Sequence, residues 1–483
     1  MKNVEDFYPL SPMQQGILFH TLSAPASGVY FIQFSCTIHG ELNTSVFKNA
    51  WEQVVERHQL LRTSFLWEGI KEPVQVVHQQ INLPWQQQDW RMLSTVEQQE
   101  RFEALLKTDQ QQGFELSQTP MMRLTLIQLA ENSYQFLWSG HHLMMDGWSS
   151  AVLLEEVFAF YQALQQGETL HLERPRPYRD YVAWQQQQDF SQSELFWQEW
   201  LKSFTVVTSL GTTQKPNNSL KQSHNYEQQL LDLSTATTTA LQAFARQQQF
   251  TLNTLVQAAW ALLLSLYSGE DDVVFGVVVA GRPTMLSGVA SIVGPFVNTL
   301  PMRMQVKTEE FLIPWLKKFQ AKQAQMQQYE STPLVKIQRW SDMPLGLPLF
   351  ESVLNFQNYP QNLYSQKGLY GELKLDNCRS FGKMNYPFYI DALPGQQLSM
   401  YFVYNTCYFE AATVAKIIKH FETILCNLIV QPQAKLNELL DRVPEIDRQQ
   451  KIIQKRQQKE KHNHKLKNIK RRVIYALNET EHL

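Results

Sequence analysis

Cysteine is scarce: Cys36, Cys378, Cys407 and Cys426 are the only four in 483 residues, and no two form a CxxC pair. That argues against a disulfide-stapled scaffold and a thiolate zinc site, and fits reduced structural thiols. Long apolar runs are also missing. The strongest, LVQAAWALLLSLY (255–267) and VVFGVVVAG (273–281), are too short or too interrupted to span a bilayer, and MKNVEDFYPLSP lacks the apolar core of a signal peptide. The formal net charge is −2, which gives the whole molecule no strong pull on nucleic acid or membrane. No internal repeat, Gly-rich phosphate loop or HExxH helix occurs. The expectation is a soluble, cytoplasmic, monomeric protein that binds no nucleic acid, no membrane and no metal.

What is present is a chain that is 43% hydrophobic, enough for a large core and long enough for two lobes. The near-neutral charge hides an asymmetry. From Arg448 to Arg472 there are eleven Lys/Arg and one acid, Glu460, so a basic segment of net +10 stands against a remainder of net −12. That tail reads either as a solvated helix or as an electrostatic docking element for acidic partners. Glutamine clusters such as QQQQ (185–188) sit beside tryptophan in helical patterns and read as solvated faces.

Helix and strand patterns alternate along the chain, giving an α/β fold with mixed sheets. MQQGILFHTL (13–22) and VFKNAWEQVVERHQLL (46–61) read as helices, and VYFIQFSCTIHG (29–40) as a strand. MRLTLIQLA and SYQFLWSG read as two strands joined by a polar turn, followed by the helix SSAVLLEEVFAFYQAL. Prolines in RPRPYRDYVAWQQ (174–186) mark a second lobe. In that lobe helices are expected at about 234–248 and 253–268, strands at 271–281, 349–358 and 397–406, and a closing helix at 411–429. The division is 1–180 for the first lobe, 181–430 for the second and 431–483 for a basic helix or tail.

Between the first lobe's second hairpin strand and its helix lies GHHLMMDGWS (140–149). Two histidines filling a core is the plain alternative. Zinc would need a third and usually a fourth ligand, which the spacing does not supply. Acyl transfer makes sharper demands, and the stretch meets several. A strand end followed by a tight turn places His142 at the rim of a sheet, where an imidazole can relay a proton as a nucleophile attacks a carbonyl. Gly147 offers backbone freedom for the turn. Asp146 reads as a structural anchor of the loop, paired with an arginine.

At this point the chain resembles the condensation domains of nonribosomal peptide synthetases, in order, from Tyr8 to about Leu428. The blocks are YPLSPMQQGILFH (8–20), RHQLLRTSF (57–65), GHHLMMDGWS, YRDYVAWQ (178–185), VGPFVNTLPMR (293–303), STPLVKIQRWSDMPLGLPLFESVLNFQNYP (331–360) and GKMNYPF (382–388). The resemblance implies two chloramphenicol-acetyltransferase-like lobes arranged as a V around a central tunnel. It implies donor and acceptor carrier proteins at opposite mouths, each presenting a phosphopantetheine thioester, with no cofactor bound covalently to this chain. The activity implied is attack of the acceptor α-amine on the donor carbonyl, forming an amide.

His142 is then the residue facing the reacting centre, as general base or as a positioning group. The Gly147 N–H is a candidate oxyanion donor. His141, Asp146 and either Arg62 or Arg282 support the loop. Trp148, Ser149, Asn298 and Thr299 are tunnel candidates. Both histidines are present, unlike the DxxxxD pattern of heterocyclization domains, and the opening block is closer to ordinary condensation domains than to epimerization domains. An N-acylating starter domain and a non-catalytic recruitment domain are the alternatives. With no adenylation motif or carrier serine, the expectation is a stand-alone or terminal domain, or a fragment, working on carriers in trans.

Overall fold

A computed structural model describes residues 3–211, 226–344, 346–357, 369–370, 372–441 and 443. The basic segment 448–472 lies outside the described residues.

Two six-stranded sheets form the framework. In the first, the strands run in the order Leu369–Tyr370, Leu373–Gly382, Phe31–His39, Ser133–His141, Met122–Ala130 and Trp85–Asp89. In the second, the order is Asn298–Gln305, Asp272–Val279, Ser352–Phe356, Phe388–Leu393, Ser399–Asn405 and Tyr226–Asp232. A small three-stranded sheet joins Val4–Pro9, Val74–His78 and Thr63–Leu66. Each large sheet has its own hydrophobic core. The first centres on Phe47, Trp51, Phe136 and Phe158 and the second on Trp260, Trp315, Phe388 and Phe421. The expected α/β, two-lobed architecture is therefore present.

Local chemistry explains the main elements. The helix Pro12–Ser23 starts with Pro at its first position and a capping box, Ser11 with Gln14. The helix Leu252–Ser268 is capped by Thr251 and ends at Gly269, whose φ of +68° suits the left-handed C-terminal turn. That helix is apolar on nearly all sides because it is buried on nearly all sides. Among the described residues, no single helix is long and apolar enough to cross a membrane.

Three parts of the expected division are corrected. Residues 373–382 do not stay in the second lobe: their strand pairs antiparallel with Phe31–His39 in the first sheet, Leu375 opposite Ile38 and Phe381 opposite Gln33. Alternation puts Leu373 and Leu375 into the first core, so burial favours the crossing. The 180/181 cut falls inside a helix, Tyr178–Gln186, whose Tyr178, Tyr181 and Val182 belong to the first core; the second core begins at Trp197. The 430/431 cut also falls too early. Leu436, Leu439, Leu440 and Val443 pack into the second core, because the short helix Leu436–Leu440 presents its leucines on one buried face.

Candidate active site between the lobes

His142 follows the last residue of the Ser133–His141 strand, and the helix Gly147–Gln165 begins five residues later. Its backbone N–H donates to the Tyr30 carbonyl at 2.9 Å, which holds the chain after the strand ends. The ring sits edge-on to Tyr30, with centroids 6.2 Å apart. Nδ1 lies 3.1 Å from the Met145 carbonyl oxygen. A carbonyl can only accept, so Nδ1 carries the proton and the neutral ring presents Nε2 as a bare acceptor. Nε2 faces Gly382 on the crossover strand, where an added Cβ would stand 3.8 Å away.

His141 holds the opposite tautomer. Its Nδ1 accepts from the Leu143 N–H at 3.2 Å, which leaves the proton on Nε2, 3.5 Å from Thr21 Oγ1. Burial, with the second ring beside it, pushes its pKa down to about 3. Burial also lowers the pKa of His142, against the Met145 carbonyl and the Asp146 charge, which both oppose the shift. Both rings are therefore neutral near pH 7, and of the two only His142 lines the cavity.

Asp146 is 1% exposed and caps the helix that follows. Its Oδ1 accepts from the Ser149 N–H at 2.8 Å and from Arg282 Nη2 at 3.3 Å; its Oδ2 accepts from the Phe296 N–H at 3.0 Å. Arg282 also donates to the Val289 and Ile292 carbonyls at 2.7 and 2.8 Å, and its guanidinium lies 4.1 Å from the Phe296 ring centroid. The pairing left open between two arginines thus falls to Arg282. Arg62 is corrected: it lies elsewhere, donating to Glu5 at 2.8 Å and to the His78 carbonyl, and so ties the small sheet together instead of supporting the loop.

Gly147 needs no special backbone freedom, contrary to the expectation, since it is an ordinary first-turn helical residue absent from the positive-φ glycines. The close approaches fall at Gly281 and Gly294 instead. At Gly281, φ is +60° and a Cβ would meet the Phe296 carbonyl oxygen at 1.9 Å; at Gly294 it would strike the Tyr178 ring at 2.1 Å. These two glycines let the loop that carries Arg282 and Phe296 close onto Asp146.

A cavity of about 160 Å³ lies between the sheets, and His142, Gly147, Ser150, Thr299, Gly382 and Asp391 are among its lining residues. A second cavity of about 420 Å³ shares Val278, Val297 and Asn355 with it and extends past Trp148. Of the four tunnel candidates, Thr299 lines the first cavity and Trp148 the second. Ser149 reaches neither: it is fully buried, with its hydroxyl bonded to Asp146, Gly294 and Arg282. Asn298 also turns away, its amide donating to the Glu330 and Thr332 carbonyls at 2.9 and 2.6 Å.

Tyr30, Ser150 and Asp391 were not anticipated. Tyr30, at φ +65°, bonds to the GKMNYPF block through the Lys383 carbonyl and Asn385. Only pairing across the crossover strand brings these segments together, and no local pattern reports it.

The condensation domain family matches residues 4–451. One of the linear gramicidin synthase subunits of Brevibacillus parabrevis is 39% identical over 454 residues, which is 94% of this chain and 9% of that protein. Surfactin synthase subunit 3 of Bacillus subtilis (strain 168) is 32% identical over 90% of this chain and 34% of its own length. The chain thus spans a small part of the curated relatives it matches. In fold it resembles a four-domain nonribosomal peptide synthetase bound to AMP and glycine (TM-score 0.78, 20% identity, 90% of this chain and 34% of that one). It also resembles the first condensation domain of the calcium-dependent antibiotic synthetase in complex with a substrate analogue (TM-score 0.77, 17% identity, 90% and 99%). The chain belongs to the condensation domain family, the amide-forming acyltransferase domains of nonribosomal peptide synthetases, which act on thioesters held by carrier proteins.

Proposed function

We propose that this chain joins a donor aminoacyl or peptidyl thioester to the α-amine of an acceptor aminoacyl thioester, with both phosphopantetheine arms supplied in trans by carrier proteins, and that it does so as a monomer. The observation that carries this reading is the bare Nε2 of His142, fixed in its tautomer by Met145 and facing a cavity between the lobes.

A thioester is already activated, so holding amine and carbonyl in near-attack geometry supplies much of the rate. As the amine attacks, its nitrogen gains positive charge and must lose a proton. His142 Nε2, neutral near pH 7, accepts a hydrogen bond from that nitrogen or takes the proton itself. The carbonyl oxygen gains negative charge at the same moment. The Gly147 N–H, in the first turn of its helix where intrahelical acceptors are lacking, is the donor for it, aided by the helix N-terminal field. The thiolate then leaves, and the lengthened chain remains on the acceptor arm. His141, Asp146 and Arg282 hold the loop and touch no reacting atom.

The test is a single-turnover reaction between two loaded carrier proteins, read by intact mass of the acceptor carrier, for the wild type and His142→Ala. A dipeptidyl mass on the acceptor with the wild type, formed about 10²- to 10⁴-fold more slowly by the folded variant, supports the proposal. Carrier binding without product, across a panel of loaded carriers, would replace it with recruitment.

A further inference from the structure

The cavity wall opposite His142 carries a carboxylate that the reaction above does not use. Asp391 lies on the Phe388–Leu393 strand, in parallel register with Asn355 on Ser352–Phe356, so the two side chains share a face of the sheet. Its Oδ1 accepts from Asn355 Nδ2 at 2.7 Å and from Gln357 Nε2 at 3.1 Å, and the Tyr389 hydroxyl bonds to the same carboxyl. All three donors are neutral. Among the described residues Asp391 has no ion pair, and neither lysine nor arginine lines this cavity. The other acid there, Asp146, is already paired with Arg282. Burial holds the Asp391 carboxyl above the usual aspartate range, the behaviour of a carboxylate without a cation. A buried carboxylate with only neutral partners is costly to keep ionised, and a cation entering the cavity removes that cost.

We propose that Asp391, oriented by Asn355 and Gln357, forms a subsite for a protonated amine of the aminoacyl substrate. The two sources of that chemistry are the acceptor's α-ammonium and a side chain ending in an ammonium group. Both amides bind Oδ1 and the Tyr389 hydroxyl bonds the same group, so the carboxyl is held in place on a wall of the cavity by neutral donors alone. This deepens the condensation reading and rests on it.

The test uses Asp391→Asn, which keeps an oxygen for both amides. Single-turnover condensation and binding of non-reactive aminoacyl-pantetheine amides are measured for the wild type and the variant, with lysyl and norleucyl groups placed in turn on donor and acceptor. Side-chain recognition predicts a loss of about 10- to 100-fold in kcat/KM and in affinity for the lysyl compound on one side, with norleucyl unchanged. Recognition of the α-ammonium predicts the same loss for both acceptors and none for either donor. The urea midpoint of the free protein should stay level or rise. Equal affinities and rates across the panel, or a lowered midpoint without substrate discrimination, would make Asp391 a structural group and overturn the proposal. Wild-type condensation of norleucyl pairs would leave the proposed activity standing in that case.

Discussion

Removing the guanidinium of Arg282 should destabilise the protein more than removing that of Arg62, and only the first loss should be coupled to Asp146. The Arg282 side chain is 5% exposed and that of Asp146 is 1% exposed, so either partner left alone is a buried, unpaired charge. Breaking such a pair costs about 3–5 kcal/mol. The Glu5 side chain is 29% exposed, so the ion pair of Arg62 is partly screened, and the loss of its carbonyl contacts should bring the total to about 1–3 kcal/mol.

A double-mutant cycle separates the two arginines. In Asp146→Asn, the new amide group meets the Phe296 N–H as one donor facing another, or gives up the Ser149 contact. Adding Arg282→Met then removes a cation that no longer has a counter-charge. The double variant should therefore cost less than the sum of the singles by about 1–3 kcal/mol. Asp146→Asn with Arg62→Met should add to within about 0.5 kcal/mol, because the two share no partner. Urea unfolding followed by tryptophan fluorescence measures both cycles. Additive losses for Asp146 with Arg282, or a wild-type urea midpoint for Arg282→Met, would refute the reasoning.

Three further outcomes are expected. Because burial keeps the His142 pKa below the usual histidine range, protonation of the ring should not set the acid limb of the single-turnover rate; as pH falls that limb should appear near the acceptor amine pKa, about 7.7–8.0, and an inflection near 6.5 that vanishes in His142→Ala would contradict this. Gly281→Ala should lower the urea midpoint markedly, since its Cβ would lie 1.9 Å from the Phe296 carbonyl oxygen at a φ of +60°, and a wild-type midpoint would show that the loop relaxes freely. Gly382→Val should leave the fold intact on circular dichroism yet cut condensation at least about tenfold, by placing methyl groups between Nε2 and the substrate; full activity would mean that the amine approaches from another side.

The elements of this fold could be read where local patterns decide them. The helix after the HHxxxDG turn was expected from 149 to 164 and runs Gly147–Gln165, and the closing helix, expected at 411–429, is Ala411–Val430. Strong periodicity with a burial face on one side makes such elements legible. The site was legible at His142 because strand, turn and helix are contiguous there. It was not legible at Arg282, because Arg62 and Arg282 occupy equally suitable motif positions and only tertiary closure places one beside Asp146. Asp391 carried no signal: one acid in a strand of FYIDAL looks like a solvent-facing residue until the cavity is seen. The crossover at 373–382 was missed for a related reason, since alternation states which residues face inward but not which sheet they join.

That crossover also governs how the chain is made. The Phe31–His39 strand pairs on one side with Ser133–His141, but its other neighbour, Leu373–Gly382, is synthesised some 240 residues later. At ordinary elongation rates of roughly 5–20 residues per second, its free edge waits on the order of ten to fifty seconds on the ribosome. An unpaired edge bearing alternate apolar residues is a template for pairing with another nascent chain. Translation speed and chaperone supply, more than the stability of the finished protein, should therefore set its yield in a heterologous host.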